Sequence, residues 1–238
     1  MRTWKKLRAQ FLKLVERLPK TFSLSLVANG FISQIHLGTN WPFGRISKNM
    51  EMTYYKTKET VEEYIRLAKD ISGIDLIEKL KEVLLENSSL LEIGSGPGTD
   101  WNILKECYNV TGSDNSVEFL NYLRTENPNG SFIELNAATL KTNERFDGIY
   151  SNKVLHHLDG NELITSIEAQ LKILNPNGII CHSFWKGEGS ETFKGMFVNY
   201  HTALELRKLF EETFEIMLLE EYAEFEDRDS LLLIAKKR

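Results

Sequence analysis

Apolar positions change their spacing several times along the chain. From Trp4 they fall at Trp4, Leu7, Phe11, Leu14, Val15 and Leu18, with Lys and Arg filling most of the gaps. That spacing gathers on one face of a helix, and Pro19 ends it. Residues 21–50 keep no sustained period and include GTNWPFG, a loop composition. Helical spacing returns near Thr57 (TKETVEEYIRLAKD) and near Ile74 (IDLIEKLKEVLLEN). Short apolar runs then alternate with helical stretches. The runs 89–93 (SLLEI), 108–113 (YNVTGS), 131–135 (SFIEL), 146–151 (FDGIYS) and 178–184 (GIICHSF, after the turn NPNG) read as strands. Helices are expected over 99–107, 116–125 and 161–174. A helix near 202–212 and two strands, FEIMLLEEY (214–222) and SLLLIAKK (230–237), complete the series. The alternation predicts an α/β protein with a doubly wound, mainly parallel sheet of seven strands covered on both faces. It divides the chain into an N-terminal helical extension, residues 1–50, and a domain, residues 51–238.

Composition narrows the class without naming an activity. Apolar residues at 42% and charged residues at 26% suit a soluble globular protein. The net charge of −5 conceals an asymmetry: residues 1–50 hold nine Lys or Arg and a single acid, Glu16, so the remaining 188 residues carry −13. An acidic domain argues against nucleic acid as partner. The basic stripe of residues 1–18 fits a helix that docks on a membrane surface or another protein, caps the domain, or is removed as a transit peptide. Cys107 and Cys181 lie 74 positions apart, with no CxxC and no clustered histidine. That argues against a disulfide framework or a structural zinc site, and suits a reducing compartment such as the cytoplasm. No apolar run reaches the roughly 18 residues of a membrane span.

The chemistry concentrates in LLEIGSGPGTD, residues 90–100. An acid and a loop with Gly94, Gly96 and Gly98 join a strand to a helix, where ligands settle at the carboxyl end of a parallel sheet. A phosphate-binding Walker loop would need lysine after its last glycine, and this chain has Thr99 and Asp100. A dinucleotide fingerprint would need its third glycine at Thr99. Asp114 ends the next strand, 20 residues after Gly94, where a carboxylate can accept both hydroxyl hydrogens of a ribose. Taken singly, the loop could be a tight turn, and Asp114 a helix cap within SDNS. Together they point to a nucleoside.

These segments resemble the class I S-adenosylmethionine-dependent methyltransferases of the small-molecule type, over residues 54–238. LLEIGSGPGTD, VTGSDNSVEFL, FIELNAATL, FDGIYSNKVLHHLD and LKILNPNGIICHSFW match that family's motifs in order. The resemblance implies a cofactor, S-adenosylmethionine, whose methionine part is held by Glu92 and the loop residues Gly94, Ser95, Gly96 and Gly98. It places Asp114 on the ribose, Asn115 near the adenine, Asn136 and Ala137 at the adenine edge, and Ser151 beside the sulfonium. Asn136 departs from the aspartate usual there; its amide oxygen can still accept from the adenine amino group.

Acceptor-side candidates come from three places: His156 and His157 after the fourth strand, Tyr54 and Tyr55 before the domain, and Tyr200 and His201 after the fifth strand. His156, His157 and Tyr200 are the catalytic candidates. Adjacent histidines on a short helix cannot both face one site, so one of them is expected to be a structural hydrogen-bonder. Tyr54, Tyr55, Trp185 and Tyr200 form an expected aromatic surround. Lys153 is read as solvated, and no metal is expected. The expected reaction is in-line methyl transfer to a small-molecule acceptor, driven mainly by positioning. The alternatives are an NAD(P)-linked oxidoreductase and a non-catalytic nucleoside-binding module.

Overall fold

Five strands run side by side in parallel: β1 (Ser89–Ile93), β2 (Asn109–Asp114), β3 (Ser131–Glu134), β4 (Phe146–Asn152) and β5 (Leu174–Trp185). Two more, β8 (Phe214–Tyr222) and β9 (Ser230–Lys237), extend this sheet in the order β3-β2-β1-β4-β5-β9-β8, with β9 antiparallel to both neighbours. The computed structural model describes residues 55, 57–68, 71–193 and 196–238, all within the unit Glu51–Arg238. The basic helix expected over 1–18, the loop of 21–50 and Tyr54 lie outside the described residues.

Alternation along the strands builds two cores, because successive side chains leave a strand on opposite faces. Leu90, Tyr150, Cys181 and Leu232 pack with Ile77 and Leu80 of α2 (Ile74–Lys81), Leu104 of α3 (Thr99–Leu104) and Leu120 of α4 (Val117–Glu126). Their neighbours Leu91, Ile149, Ile180 and Leu233 pack on the other face. There they meet Leu163 and Ile167 of α5 (Gly160–Ile173) and Phe210 of α6 (Ala203–Phe210). Burying each such side chain contributes about 1.5–3 kcal/mol. Sequence-local caps fix the helix starts. Asp159 with Glu162, and Thr202 with Glu205, close capping boxes on α5 and α6, and Ser116 caps α4. A further helix, α1 (Lys58–Ala68), precedes the sheet. Among the described residues, no helix is long and apolar enough to cross a membrane.

The structure differs from the sequence expectation in three places. β5 starts four residues early, because Asn175–Asn177 run on as strand; the β4–β5 register shifts between Phe146 and Gly148, and Asn177 takes φ +63°. The regular helices α2 and α3 end at Lys81 and Leu104, ahead of the expected ends near 87 and 107. A separate hairpin, β6 (Ser190–Phe193) with β7 (Met196–Asn199), stands where no strand was anticipated.

Candidate functional site

The three loop glycines serve different needs. A Cβ on Gly94 would fall 2.5 Å from Val154 Cγ2, and one on Gly98 would fall 2.5 Å from Leu123 Cδ2. Both glycines let other elements approach. A Cβ on Gly96 would meet only Tyr64 Cε1, at 4.0 Å, so this position is the loosely packed one of the three. Ser95 clips the loop to β2 by bonds to the Ser113 carbonyl (2.8 Å) and from the Ser113 N–H (3.1 Å).

Three carboxylates surround the loop. Asp114, at the end of β2, accepts from Gly96 N (3.0 Å) and Ser116 N (2.8 Å). Burial raises its pKa, opposed by the N–H groups of Ser116, Gly96 and Asn115. Glu92, one residue before the end of β1, is 3% exposed, and its Oε2 has no hydrogen-bond partner among the described residues. Burial, then Asp100, pushes its carboxyl up to about 8, while Ser95 works against the shift. A buried oxygen of this kind is costly unless a donor meets it. The ammonium of a bound amino acid would supply that donor, so the cradle fits the methionine end of the cofactor.

Asp100, which the sequence reading passed over, organises this end of the sheet. Its carboxylate accepts from Gly73 N (2.6 Å), Tyr150 Oη (2.8 Å) and Asn152 Nδ2 (3.0 Å). It thereby joins the α1–α2 corner to β4. The signal was present in the loop motif: an acid one residue inside the helix that follows the glycines.

Tyr55 and Tyr64 lie over the loop and α4. Their rings meet edge-on at 5.3 Å, and both contact Phe119. The Ser116 hydroxyl donates to the Tyr55 carbonyl (2.6 Å), and the Tyr55 hydroxyl to Met196 Sδ (3.1 Å). Burial and the carboxylates of Asp114, Asp100 and Glu224 push the Tyr64 phenol up to about 12. Tyr64 was missed, although the apolar stripe of α1 could have led to it.

The remaining cofactor candidates divide. Asn115 is exposed beside Asp114. Asn136 spends one lone pair of its amide oxygen on Ala138 N (2.8 Å), and the Ala137 carbonyl accepts from Ser166 (2.7 Å). Ser151 is fully buried, with its hydroxyl 2.8 Å from His182 Nδ1. His182 continues to Gln170 (2.8 Å), and burial pushes it down to about 3. The Ser151 side chain thus belongs to the interior between the sheet and α5; only its backbone sits at the strand end.

After β4 the chain turns sharply through Lys153, at φ +54°, into a 3-10 turn, Leu155–His157. Both histidines are held there, their rings 4.1 Å apart. His156 is 2% exposed and its Nδ1 has no partner among the described residues. Burial, then His157, Lys153 and His201, holds it well below its usual pKa. His157 Nδ1 lies 2.6 Å from the Phe197 carbonyl on β7. Lys153 is a correction, being enclosed and not solvated. Its ammonium sits over Trp185 (4.2 Å) and Tyr222 (4.8 Å), donates to Tyr222 Oη (2.9 Å) and pairs with Glu224 (3.4 Å). The turn at φ +54° aims a long side chain inward, which composition could not show. Tyr200 is bound elsewhere: its hydroxyl donates to Glu191 of β6 (2.5 Å), and burial and Glu191 raise its pKa. That makes it a donor at neutral pH, not a base.

Residues 90–178 match the family model of a methyltransferase domain. No curated protein matches the sequence significantly. Among solved structures, the chain is similar to the 1,6-didemethyltoxoflavin-N1-methyltransferase of Burkholderia thailandensis, crystallised with 1,6-didemethyltoxoflavin and S-adenosylhomocysteine. The identity is 19% and the TM-score 0.62, over 75% of this chain and 84% of that one. The N-methyltransferase NodS of Bradyrhizobium japonicum, with S-adenosylhomocysteine, gives 19% and 0.59 over 79% and 99%. CalS10 of Micromonospora echinaspora, an amino pentose methyltransferase bound to S-adenosylmethionine, gives 15% and 0.62 over 75% and 97%. At these identities the likeness is one of fold.

Proposed function

We propose that the chain, whose residues 90–178 match a methyltransferase domain model, is a class I S-adenosylmethionine-dependent methyltransferase acting on a small-molecule acceptor. The observation that carries this reading is the cradle at the end of β1 and β2. The loosely packed position at Gly96, the unmatched oxygen of Glu92 and the strand-end carboxylate of Asp114 converge there. Together they suit a nucleoside joined to an amino acid. They suit a dinucleotide less well, since the loop offers no third glycine at Thr99 and sets a buried acid where a pyrophosphate would need positive charge. The co-crystallised ligands of the similar structures support the same cofactor.

In this reading S-adenosylmethionine supplies an activated methyl group and leaves as S-adenosylhomocysteine. The protein's own contribution is alignment and exclusion of water. The loop and Asp114 fix one end of the site, and Tyr55 and Tyr64 cover it. We take the turn Leu155–His157 as the acceptor wall. Fixing reactants in this way is worth about 7–11 kcal/mol in intramolecular systems. We further take residues 51–238 as the catalytic domain, acting in the cytoplasm, with residues 1–18 as a docking helix.

Calorimetry of the full chain with S-adenosylhomocysteine and with NADH tests the reading. S-adenosylhomocysteine should bind and NADH should not. Hydrogen bonds to a charged group are worth roughly 1.5–3 kcal/mol, so Asp114→Ala should weaken binding at least about tenfold. Unchanged affinity in a folded Asp114→Ala protein, or preference for NADH, would remove the assignment. Production of S-adenosylhomocysteine from an acceptor panel separates an enzyme from a binding module.

A further inference from the structure

One contact decides which nitrogen of His157 is available for chemistry. A carbonyl oxygen only accepts, so the 2.6 Å approach of His157 Nδ1 to Phe197 O places a hydrogen on Nδ1. A neutral imidazole has one ring hydrogen, and Nε2 is then left with the lone pair. The ring is held by two elements at once, the turn after β4 and the β6–β7 hairpin. It also lies 6.4 Å from the ring of Tyr55, which in turn touches Tyr64 above Gly96. The imidazole therefore sits beside the aromatic pair that covers the glycine loop.

We propose that His157 is the general base of the transfer, its Nε2 taking a proton from the acceptor, and that the acceptor presents an O–H or N–H at the attacking atom. The proposal rests on the methyl-transfer reading above. The neighbouring His156, buried and 4.1 Å away, has an Nδ1 without a partner among the described residues, and so does the Nε2 of buried His201. Buried polar nitrogens are normally matched, so these two leave unmatched polarity in the interior behind His157.

The surroundings keep the base neutral. Burial lowers the His157 pKa below its usual value, and the Phe197 carbonyl pulls it back part of the way. The titratable groups in ring contact with it are His156 on its own turn and Tyr55 from the segment before α1. The hairpin offers the Met196 sulfur to Tyr55 and the Phe197 carbonyl to His157. Lys153 and His201 act on His156 and hold it neutral as well. Activity governed by this base rises with pH through a value lower than that of an unperturbed histidine.

In the step, the acceptor's X–H bond breaks and its proton passes to Nε2. The freed electron pair forms the X–CH3 bond, and the C–S bond leaves its pair on sulfur as a neutral thioether. The imidazolium then returns the proton to water.

The test uses the full chain with 15N-labelled histidine, saturated with S-adenosylhomocysteine. Two-bond proton–nitrogen correlation, assigned by comparison with His157→Gln, should show Nδ1–H and a bare Nε2 from pH 6.5 to 8. A hydrogen on Nε2, or a cationic ring at pH 7, overturns the proposal. Absence of S-adenosylhomocysteine binding on the same sample condemns the methyltransferase reading instead, and the tautomer still decides this one. Single-turnover methyl transfer to phenol and to 4-nitrophenol, which is largely ionised at pH 8, gives the chemical readout. His157→Gln should lose about 10²–10⁴-fold with phenol and at most about tenfold with 4-nitrophenol. Equal losses overturn the proposal, and where neither phenol reacts the tautomer alone decides.

Discussion

Lys153 rests its ammonium 4.2 Å from the centre of the Trp185 ring, at the point where the chain leaves β4 for the two histidines. With its side chain 13% exposed and Glu224 equally enclosed, this is a buried pair. Removing one member strands the other. Lys153→Ala should therefore lower stability by about 3 kcal/mol, the low end for breaking a buried pair, read from urea unfolding. Replacing Lys153 by Met together with Glu224 by Gln should recover most of that loss. The pH dependence carries a sign as well. Burial pushes the Lys153 pKa down to about 8, so between about 8 and its usual 10.5 the unfolded chain binds more protons. This group's contribution then makes the fold more stable as pH climbs through that window.

Gly96 and Gly98 should separate binding from folding. At Gly98, φ +82° and the 2.5 Å approach to Leu123 make even Ala strained, and Gly98→Ala should cost stability by roughly 1–2 kcal/mol or more. Gly96, at φ +49°, strains any side chain too, but a Cβ there would meet only Tyr64 Cε1, at 4.0 Å. Gly96→Val should keep a cooperative thermal transition while abolishing detectable binding of S-adenosylhomocysteine. Loss of folding in Gly96→Val with binding retained in Gly98→Ala would reverse the assignment.

Glu92 should couple binding to protons. Its carboxyl, raised to about 8, is largely protonated at pH 7. A ligand ammonium placed on it favours the ionised form, so binding releases protons there and affinity rises from pH 6 to 8. Calorimetry in buffers of different ionisation heat measures the release. Glu92→Gln should abolish that release and flatten the pH profile.

Much of this was legible in the residues. The strands at 89–93, 214–222 and 230–237 fall where the apolar runs placed them, because each run is long, bounded and rich in Leu or Ile. The β6–β7 hairpin was not legible: its first strand, SETF, holds a single apolar residue, so no apolar run marks it. That omission hid the partner of His157, since Phe197 acts through its backbone carbonyl, which no side-chain pattern encodes. The loop motif announced Gly94, Gly96 and Gly98 alike, yet only the fold distinguishes the loosely packed position from the two that are closely packed. Lys153 was misjudged for a related reason: burial of its ammonium depends on a backbone turn and on Trp185 and Tyr222, brought in from distant strands.

β9 follows β8 in the chain yet lies between it and β5. Until β9 is in place, β8 has no route into the sheet, and one whole edge of β5 presents unpaired N–H and C=O groups. The run that must fill the gap, Leu231–Ala235, is buried almost completely in the finished fold. Before docking it is an apolar segment of high strand propensity facing an open edge, the circumstance in which chains pair with one another instead of with themselves. Until the β8–β9 hairpin docks on β5, that open edge is where crowded copies of this protein are most exposed to aggregation.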